Sequence, residues 1–289
     1  MEYAISTEET VDQGIKRIYS NCVGQTASII RPPFHNLNEA VHNTRKSFKF
    51  MRALIRLIRT PLGEEDYKQL NLFFRDMSRF VSELRDTHVI ILILQHVATE
   101  AHSVRHKDIE QGLDELQRRE QRLLEKAEEK NAFEEMANSL EENCESFLER
   151  DLIADNLPDL RPGVQEIFRN GREKFNLANE DGTKEHFHEW RKEVKYLLHI
   201  FQILNYYWPE ELDINGKSLT QLSDYLGEEH DLALFDTLLR DDDFGPLLSN
   251  KKAMTSYVDQ KRSFLQRSAL NLGGFIYSKS EEEFISYFT

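Results

Sequence analysis

Cysteine is nearly absent from this chain of 289 residues: Cys22 and Cys144 are its two thiols, and they lie far apart in sequence. That leaves no disulfide framework and no thiolate metal spacing, and it suits a reducing interior. Proline and glycine are scarce as well, at 7 and 12, which favours helices over a turn-rich β fold. No apolar run approaches the roughly 20 residues that cross a bilayer. The longest covers only residues 89–94. The opening MEYAISTEET has neither a basic start nor an apolar segment, so no secretory signal is expected. Positive charge is also in deficit, with a net charge of −14 and a pI near 5.3, which argues against a general nucleic-acid binder.

What positive charge there is lies concentrated. Residues 41–59, VHNTRKSFKFMRALIRLIR, carry His42, Arg45, Lys46, Lys49, Arg52, Arg56 and Arg59 and no acid. Wound as a helix, these groups fall within an arc of roughly 140°, and Phe48, Phe50, Met51, Leu54, Ile55, Leu57 and Ile58 fill most of the rest. Like charges at i, i+3 and i+4 repel, so such a stripe calls for counter-charge from neighbouring helices or from a ligand with repeated negative charge. Residues 110–151 are by contrast crowded with glutamate and aspartate. A focused positive surface on an acidic body draws a polyanion to one place and repels it elsewhere.

The basic phrase recurs half a chain later. His188-Glu-Trp-Arg191-Lys192-Glu-Val-Lys195 repeats His42-Asn-Thr-Arg45-Lys46-Ser-Phe-Lys49 as H-x-x-R-K-x-[FV]-K. His188, Arg191, Lys192, Lys195, His199 and Gln202 occupy an arc of roughly 100°, opposite Trp190, Val194, Leu197, Phe201 and Leu204. A second echo aligns Ser78-Arg-Phe80-Val81-Ser-Glu83-Leu-Arg85-Asp86 with Ser223-Asp-Tyr225-Leu226-Gly-Glu228-Glu-His230-Asp231. Repeat histidine and repeat aspartate are separated by 86 − 42 = 44 residues in one half and 231 − 188 = 43 in the other. Both echoes hold register, so the chain reads as a duplication, with residues 1–154 and 155–289 as its two repeats and about four helices in each.

In chain order, the periodicity predicts a helix over residues 7–30, broken at Arg31-Pro-Pro-Phe34. Asn36 or Asn38 caps the cationic helix, which Pro61 stops. Further helices are expected over residues 64–84, from Asp86 onward, and as one or two long helices over 107–151. After a joint at 155–162 come helices near 163–178, the repeated cationic helix ended by Tyr206-Tyr-Trp-Pro209, then 217–227, 231–239 and 246–272. Phe275, Phe284 and Phe288 are expected to dock the end of the chain.

These paired phrases, the Arg85-Asp86 and His230-Asp231 junctions and Leu272-Gly-Gly-Phe275 together make the chain similar to CHAD domains, the conserved histidine α-helical domains. The resemblance covers nearly all 289 residues and implies a single all-α domain. It implies two pseudo-symmetric helical bundles whose basic helices face a shared groove or pore. It also implies non-enzymatic binding of inorganic polyphosphate, with no cofactor, no metal, no specific nucleic acid and no membrane. The implied location is cytoplasmic or otherwise intracellular, polyphosphate granules included. Matched onto this sequence, the anion contacts fall on His42, Arg45, Lys46, Lys49, His188, Arg191, Lys192 and Lys195. Helical spacing extends the same faces to Arg52, Arg56, Arg59 and His199. Leu198 stands where the first repeat has Arg52, and Glu189 and Glu193 dilute the second stripe, so the halves are expected to contribute unequally.

Other chemistry is thinly represented. His102 with His106, or His186 with His188 beside Glu185, lacks a third and fourth metal ligand. Gly216-Lys217-Ser218 resembles the end of a P-loop, but Glu211 stands where the earlier glycine is needed. Asp241-Asp-Asp243 suits magnesium or, more commonly, a turn, and Asp86 and Asp231 suit helix caps or salt bridges. The alternatives are an enzyme or accessory subunit acting on phosphorylated substrates, or a helical scaffold for acidic protein partners. The E-x-E-x-K strand of the triphosphatases sometimes fused to such modules is absent.

Overall fold

The structure, a computed structural model, describes residues 3–100, 106–207, 213–240 and 251–286. Among these the regular elements are helical: α1 (Val11–Ile30), α2 (Leu37–Leu57), α3 (Arg59–Leu62), α4 (Glu64–Phe80), α5 (Ser82–Glu100), α6 (His106–Glu129), α7 (Ala132–Leu148), α8 (Arg161–Asp181), α9 (Lys184–Ile203), α10 (Asp213–Arg240), α11 (Lys251–Ile276) and α12 (Glu281–Ser286). His102, Pro209, Asp241 to Asp243, Pro246 and Phe288 lie outside the described residues. None of the described helices is long and apolar enough to cross a membrane.

Local chemistry sets most boundaries. Thr10 and Gln13 close a capping box on α1, the Asn36 side chain accepts from the Glu39 amide at the start of α2, and the Thr183 hydroxyl accepts from the His186 amide at the start of α9. Gly182, at φ 64°, ends α8 in the left-handed conformation that costs glycine nothing. Two long helices occupy the acidic stretch, separated where Asn131 turns left-handed at φ 49°.

Three boundaries differ from the sequence reading. α2 ends at Leu57, and Pro61 sits within the short α3, where the first turn tolerates a residue without an N–H. The change from α4 to α5 comes at Val81, because Arg45 reaches over from α2 and donates to the Ser78 carbonyl at 3.3 Å and to the Ser82 hydroxyl. The second half has no such break: residues 217–239 belong to one helix, α10, so Asp231, like Asp86, is interior to a helix and caps nothing. At the C-terminus Phe284 docks, stacked at 4.0 Å on Phe168, whereas Phe275 is 55% exposed.

The pattern of neighbours in one half recurs in the other. α2 packs on α1 and α4, as α9 packs on α8 and α10, and α5 packs on α6 as α10 packs on α11. The halves join where α2 meets α9 and α5 meets α10. The main core draws on both, from Ile15, Phe48 and Phe74 to Phe168, Trp190 and Leu222. A smaller core binds Ile91, Leu94 and Val97 of α5 to Phe235 of α10 and Met254 and Val258 of α11. The N-terminal segment adds a tie, with buried Ile5 donating its amide to the Ile203 carbonyl at 2.8 Å.

Where α8 crosses the end of α2, Gly163 lets the backbones touch. A Cβ there would lie 2.1 Å from the Leu57 carbonyl oxygen, a backbone atom that cannot swing aside. Gly163→Ala is therefore expected to destabilise the fold by about 3 kcal/mol or more, read as a lower denaturation midpoint at unchanged m-value. Gly24→Ala, facing open space on α1, is the control and should stabilise slightly.

Candidate anion-binding cleft

Apolar residues on the opposite faces of α2 and α9 enter the core, and this fixes where the cationic faces point. Phe48, Leu54 and Ile55 anchor α2, and Trp190, Val194 and Leu197 anchor α9, all buried. Because α2 and α9 pack on each other, the two cationic rows converge. Arg45, Lys49 and Arg52 from α2 and His188, Arg191, Lys192 and Lys195 from α9 line one cleft of about 160 Å³, completed by Ser78, Tyr196 and His230.

Behind it stand Arg85 and Asp86 of α5 and His230 and Asp231 of α10. Arg45 lies 3.8 Å from Asp86, and the His188 and His230 rings meet through their Nδ1 atoms at 3.3 Å. Arg45 and Arg191, Lys49 and Lys195, and Asp86 and Asp231 are matched positions of the duplication, so the same groups approach from both sides. Arg45, Lys49, Arg85 and Arg191 meet Asp86 and Asp231 as their principal counter-charges, and Lys195 meets Asp224 first and Asp231 second. Arg85, Arg191, Lys49 and Lys195 form no ion pair among the described residues, and Arg191 Nε is buried with no hydrogen-bond partner.

That crowding shows in the acid–base behaviour. Burial, then repulsion from Arg191, Arg45 and Lys195, holds Lys49 well below the ordinary lysine value. Burial and Arg191 lower Lys195 in the same way. Asp86 and Asp231 are pushed up by burial, against the pull of the surrounding cations. Burial first and nearby cations second depress His42 to about 4 and His230 to about 3 and also lower His188; His199, mainly by burial, falls to about 4. The histidines are thus neutral at physiological pH and serve as hydrogen-bonding groups, not as added charge.

A pH prediction follows from the sign of these shifts. Unfolded histidine takes up a proton near pH 6.5, whereas the folded side chains resist until about 4. Stability contributed by the neutral rings is present above about pH 6.5 and is lost as pH falls toward about 4. The raised pKa values of Asp86 and Asp231 oppose this trend without the same number of groups. Thermal unfolding should show a declining midpoint across that window, and His230→Gln should flatten part of the decline.

The other expected site residues lie outside the cleft or, like Arg52 and Lys192 in its lining, already have partners. His42, only partly shielded, and the exposed Lys46 lie on α2 outside the lining of the cleft. Arg52 donates to Asn71 at 3.0 Å, and Arg56 donates to the Tyr67 hydroxyl at 2.9 Å with its guanidinium 4.5 Å over the Tyr196 ring. His199 bonds Gln202 at 3.0 Å, its ring edge-on to Phe50. Arg59 belongs to α3 and pairs with Glu64 and Glu166, so carboxylates of the same chain already balance it. Lys192 pairs with Glu189, whereas Glu193 is buried beside Arg56 and forms no ion pair among the described residues. Arg85 and His230 were not among the expected contacts. Their signal was the second echo, in which they are matched positions. Among the described residues no group of three or more His, Cys, Asp or Glu could hold a metal.

Comparison with known proteins agrees with this architecture. The family model described as CHAD domain matches residues 30–240, which span both cationic helices and both aspartate junctions. The chain belongs to the CHAD family. The crystal structure of the CHAD domain from the plant Ricinus communis superposes on this CHAD domain with a TM-score of 0.63. The match covers 100% of this chain and 94% of that one at 13% identity, so what the two share is the fold. No curated protein matches this CHAD domain in sequence.

Proposed function

We propose that the cleft between α2 and α9 binds inorganic polyphosphate and that the protein acts as a binding module, without chemistry of its own, inside the cell and at polyphosphate granules. One observation carries this reading: cations from both repeats converge on one cleft without matching carboxylates, and the guanidinium of Arg191 keeps a buried donor unpaired. A buried donor left unpaired costs about 1–3 kcal/mol, which an anionic oxygen would recover. The association of the CHAD family with polyphosphate binding supports the same ligand.

The residue types suit a flexible chain with roughly one negative charge per unit, since many cations in a row grip it better than one deep pocket. Arg45 and Arg191 offer planar forks for paired phosphate oxygens, and Lys49 and Lys195 offer compact charges. The aromatic residues of the lining, Phe48 and Tyr196, are buried, which favours a ligand gripped by its phosphates over one held by stacked bases.

Calorimetry with polyphosphates of several lengths, at two salt concentrations and with DNA as control, tests the proposal. Affinity should exceed that for orthophosphate and for DNA. With six cations lining the cleft, a rise from about 50 to about 200 mM salt should weaken binding about a thousandfold. Equal affinity at the two salt concentrations, or stronger binding of DNA, would overturn it.

A further inference from the structure

A cavity of about 450 Å³ between α5, α10 and α11 shares no lining residue with the cationic cleft. One wall is a single face of α5. Arg85, Val89, Leu92, Ile93, His96 and Val97 fall at i, i+4, i+7, i+8, i+11 and i+12, which stacks them along about 18 Å of helix with the guanidinium at one end. Leu232 of α10 and Tyr257, Phe264 and Leu265 of α11 form the facing wall. The size is that of a small-molecule site. Its apolar rim is left open to water, with Leu92 47% and Phe264 55% exposed. In the register that matches Asp86 to Asp231, Leu92 corresponds to Thr237 and Leu232 to Thr87, so the apolar groove belongs to one side of the duplication and is no by-product of the repeated fold.

Charge selects the occupant. Arg85 makes no ion pair among the described residues and belongs to a cluster in which cations outnumber carboxylates. Asp231 is shared among Arg191, Arg85 and Lys49, and the exposed Glu228 is the other acid of the lining. One further negative charge is welcome at the Arg85 end; a doubly charged head would meet both acids. The exposed Lys261 lies 5.7 Å over the Tyr257 ring, and beyond it and His96 the walls offer apolar contact alone. We propose that this groove binds a single-chain aliphatic monocarboxylate. Its carboxylate sits on the planar fork of Arg85, and its chain runs along Val89, Leu92, Ile93 and Val97 against Phe264. This goes beyond the polyphosphate reading and does not rest on it.

Calorimetry of the full chain with dodecanoate, kept below its micellar concentration, tests this, with dodecanol, hexanoate and dodecyl phosphate as contrasting ligands. Dodecanoate should bind at least about tenfold more tightly than dodecanol, which lacks the charge. It should exceed hexanoate, which has half the chain, by at least about a hundredfold. Dodecyl phosphate, with its larger charge, should bind more weakly than dodecanoate. Arg85→Met should weaken dodecanoate at least about tenfold and Lys261→Met less than about twofold. Leu92→Ser and Phe264→Ser, both at exposed positions, should weaken dodecanoate while melting point and polyphosphate affinity stay as in the parent. Equal affinity for dodecanoate and dodecanol, tighter binding of dodecyl phosphate, a loss on Lys261→Met in place of Arg85→Met, or indifference to Leu92→Ser and Phe264→Ser would each overturn the inference. So would self-association that Phe264→Ser abolishes, since the groove would then be an interface between two copies of the chain.

Discussion

Lys49→Glu combined with Lys195→Glu is expected to lower polyphosphate affinity by at least about a hundredfold while the fold loses no stability. Each lysine removed takes away a charge-assisted contact worth about 1.5–3 kcal/mol, and each carboxylate introduced adds repulsion toward phosphate. Two such changes exceed the roughly 2.7 kcal/mol that a hundredfold requires. The stability half of the expectation comes from the crowding. Five cations now face three carboxylates, Asp86, Asp231 and the Asp224 beside Lys195; after the exchange, 5 − 2 = 3 cations face 3 + 2 = 5 carboxylates. The excess charge changes sign without growing, so circular dichroism should show unchanged helicity and a melting point close to that of the parent. Lys49→Gln with Lys195→Gln serves as the second variant, removing charge without adding any. Full binding by either double variant would be incompatible with the proposed cleft.

Arg262→Met is expected to cost about 3–5 kcal/mol of stability, the largest single-residue loss anticipated outside the glycine contact. Arg262 projects from α11 to Glu229 of α10, with Nη2 2.7 Å and Nε 3.1 Å from one carboxylate oxygen, and it lies 3.6 Å from Asp236. Its side chain is 10% exposed, that of Glu229 3% and that of Asp236 0%. Asp236 keeps Lys184 from α9 and Arg240 from its own helix, and although burial pushes its carboxyl up, those two cations hold it below the ordinary value. Among the described residues Glu229 keeps the Gln266 amide, at 2.9 Å, and the charge of Arg191 nearby, so removing Arg262 leaves a buried carboxylate with one neutral donor. Arg262→Met together with Glu229→Met should recover most of the loss, because removing both partners abolishes the unpaired charge. Denaturant titration of the two variants measures this. A double variant as unstable as the single one would show that the pair acts through packing instead.

Much of the fold could be read from local pattern. Thr10, Asn36 and Thr183 mark helix starts because a side-chain oxygen there satisfies amides that the helix leaves open, whatever lies beyond. The two cationic helices were legible for the same reason, since 3.6-residue periodicity places charge and apolar residues on opposite faces. The errors fall where a distant residue intervenes. Arg45 caps the end of α4 and moves that boundary to Val81, and no comparable break divides α10. Phe275 was expected to dock and is exposed, because the turn before α12 brings Phe284, not Phe275, onto Phe168.

The site divides along the same line. Residue order alone established an all-α chain, an internal duplication and two matched rows of cations, because each depends on spacing along one helix or on likeness between two stretches. The packing of α2 on α9 decided which of those cations share a cleft: Arg45, Lys49, Arg191 and Lys195 do, while Arg59 is balanced by Glu64 and Glu166. It also added Arg85 and His230 and left the histidines uncharged. Desolvation and repulsion are set by what stands across the gap, and that is a property of three dimensions which spacing along a single helix does not contain.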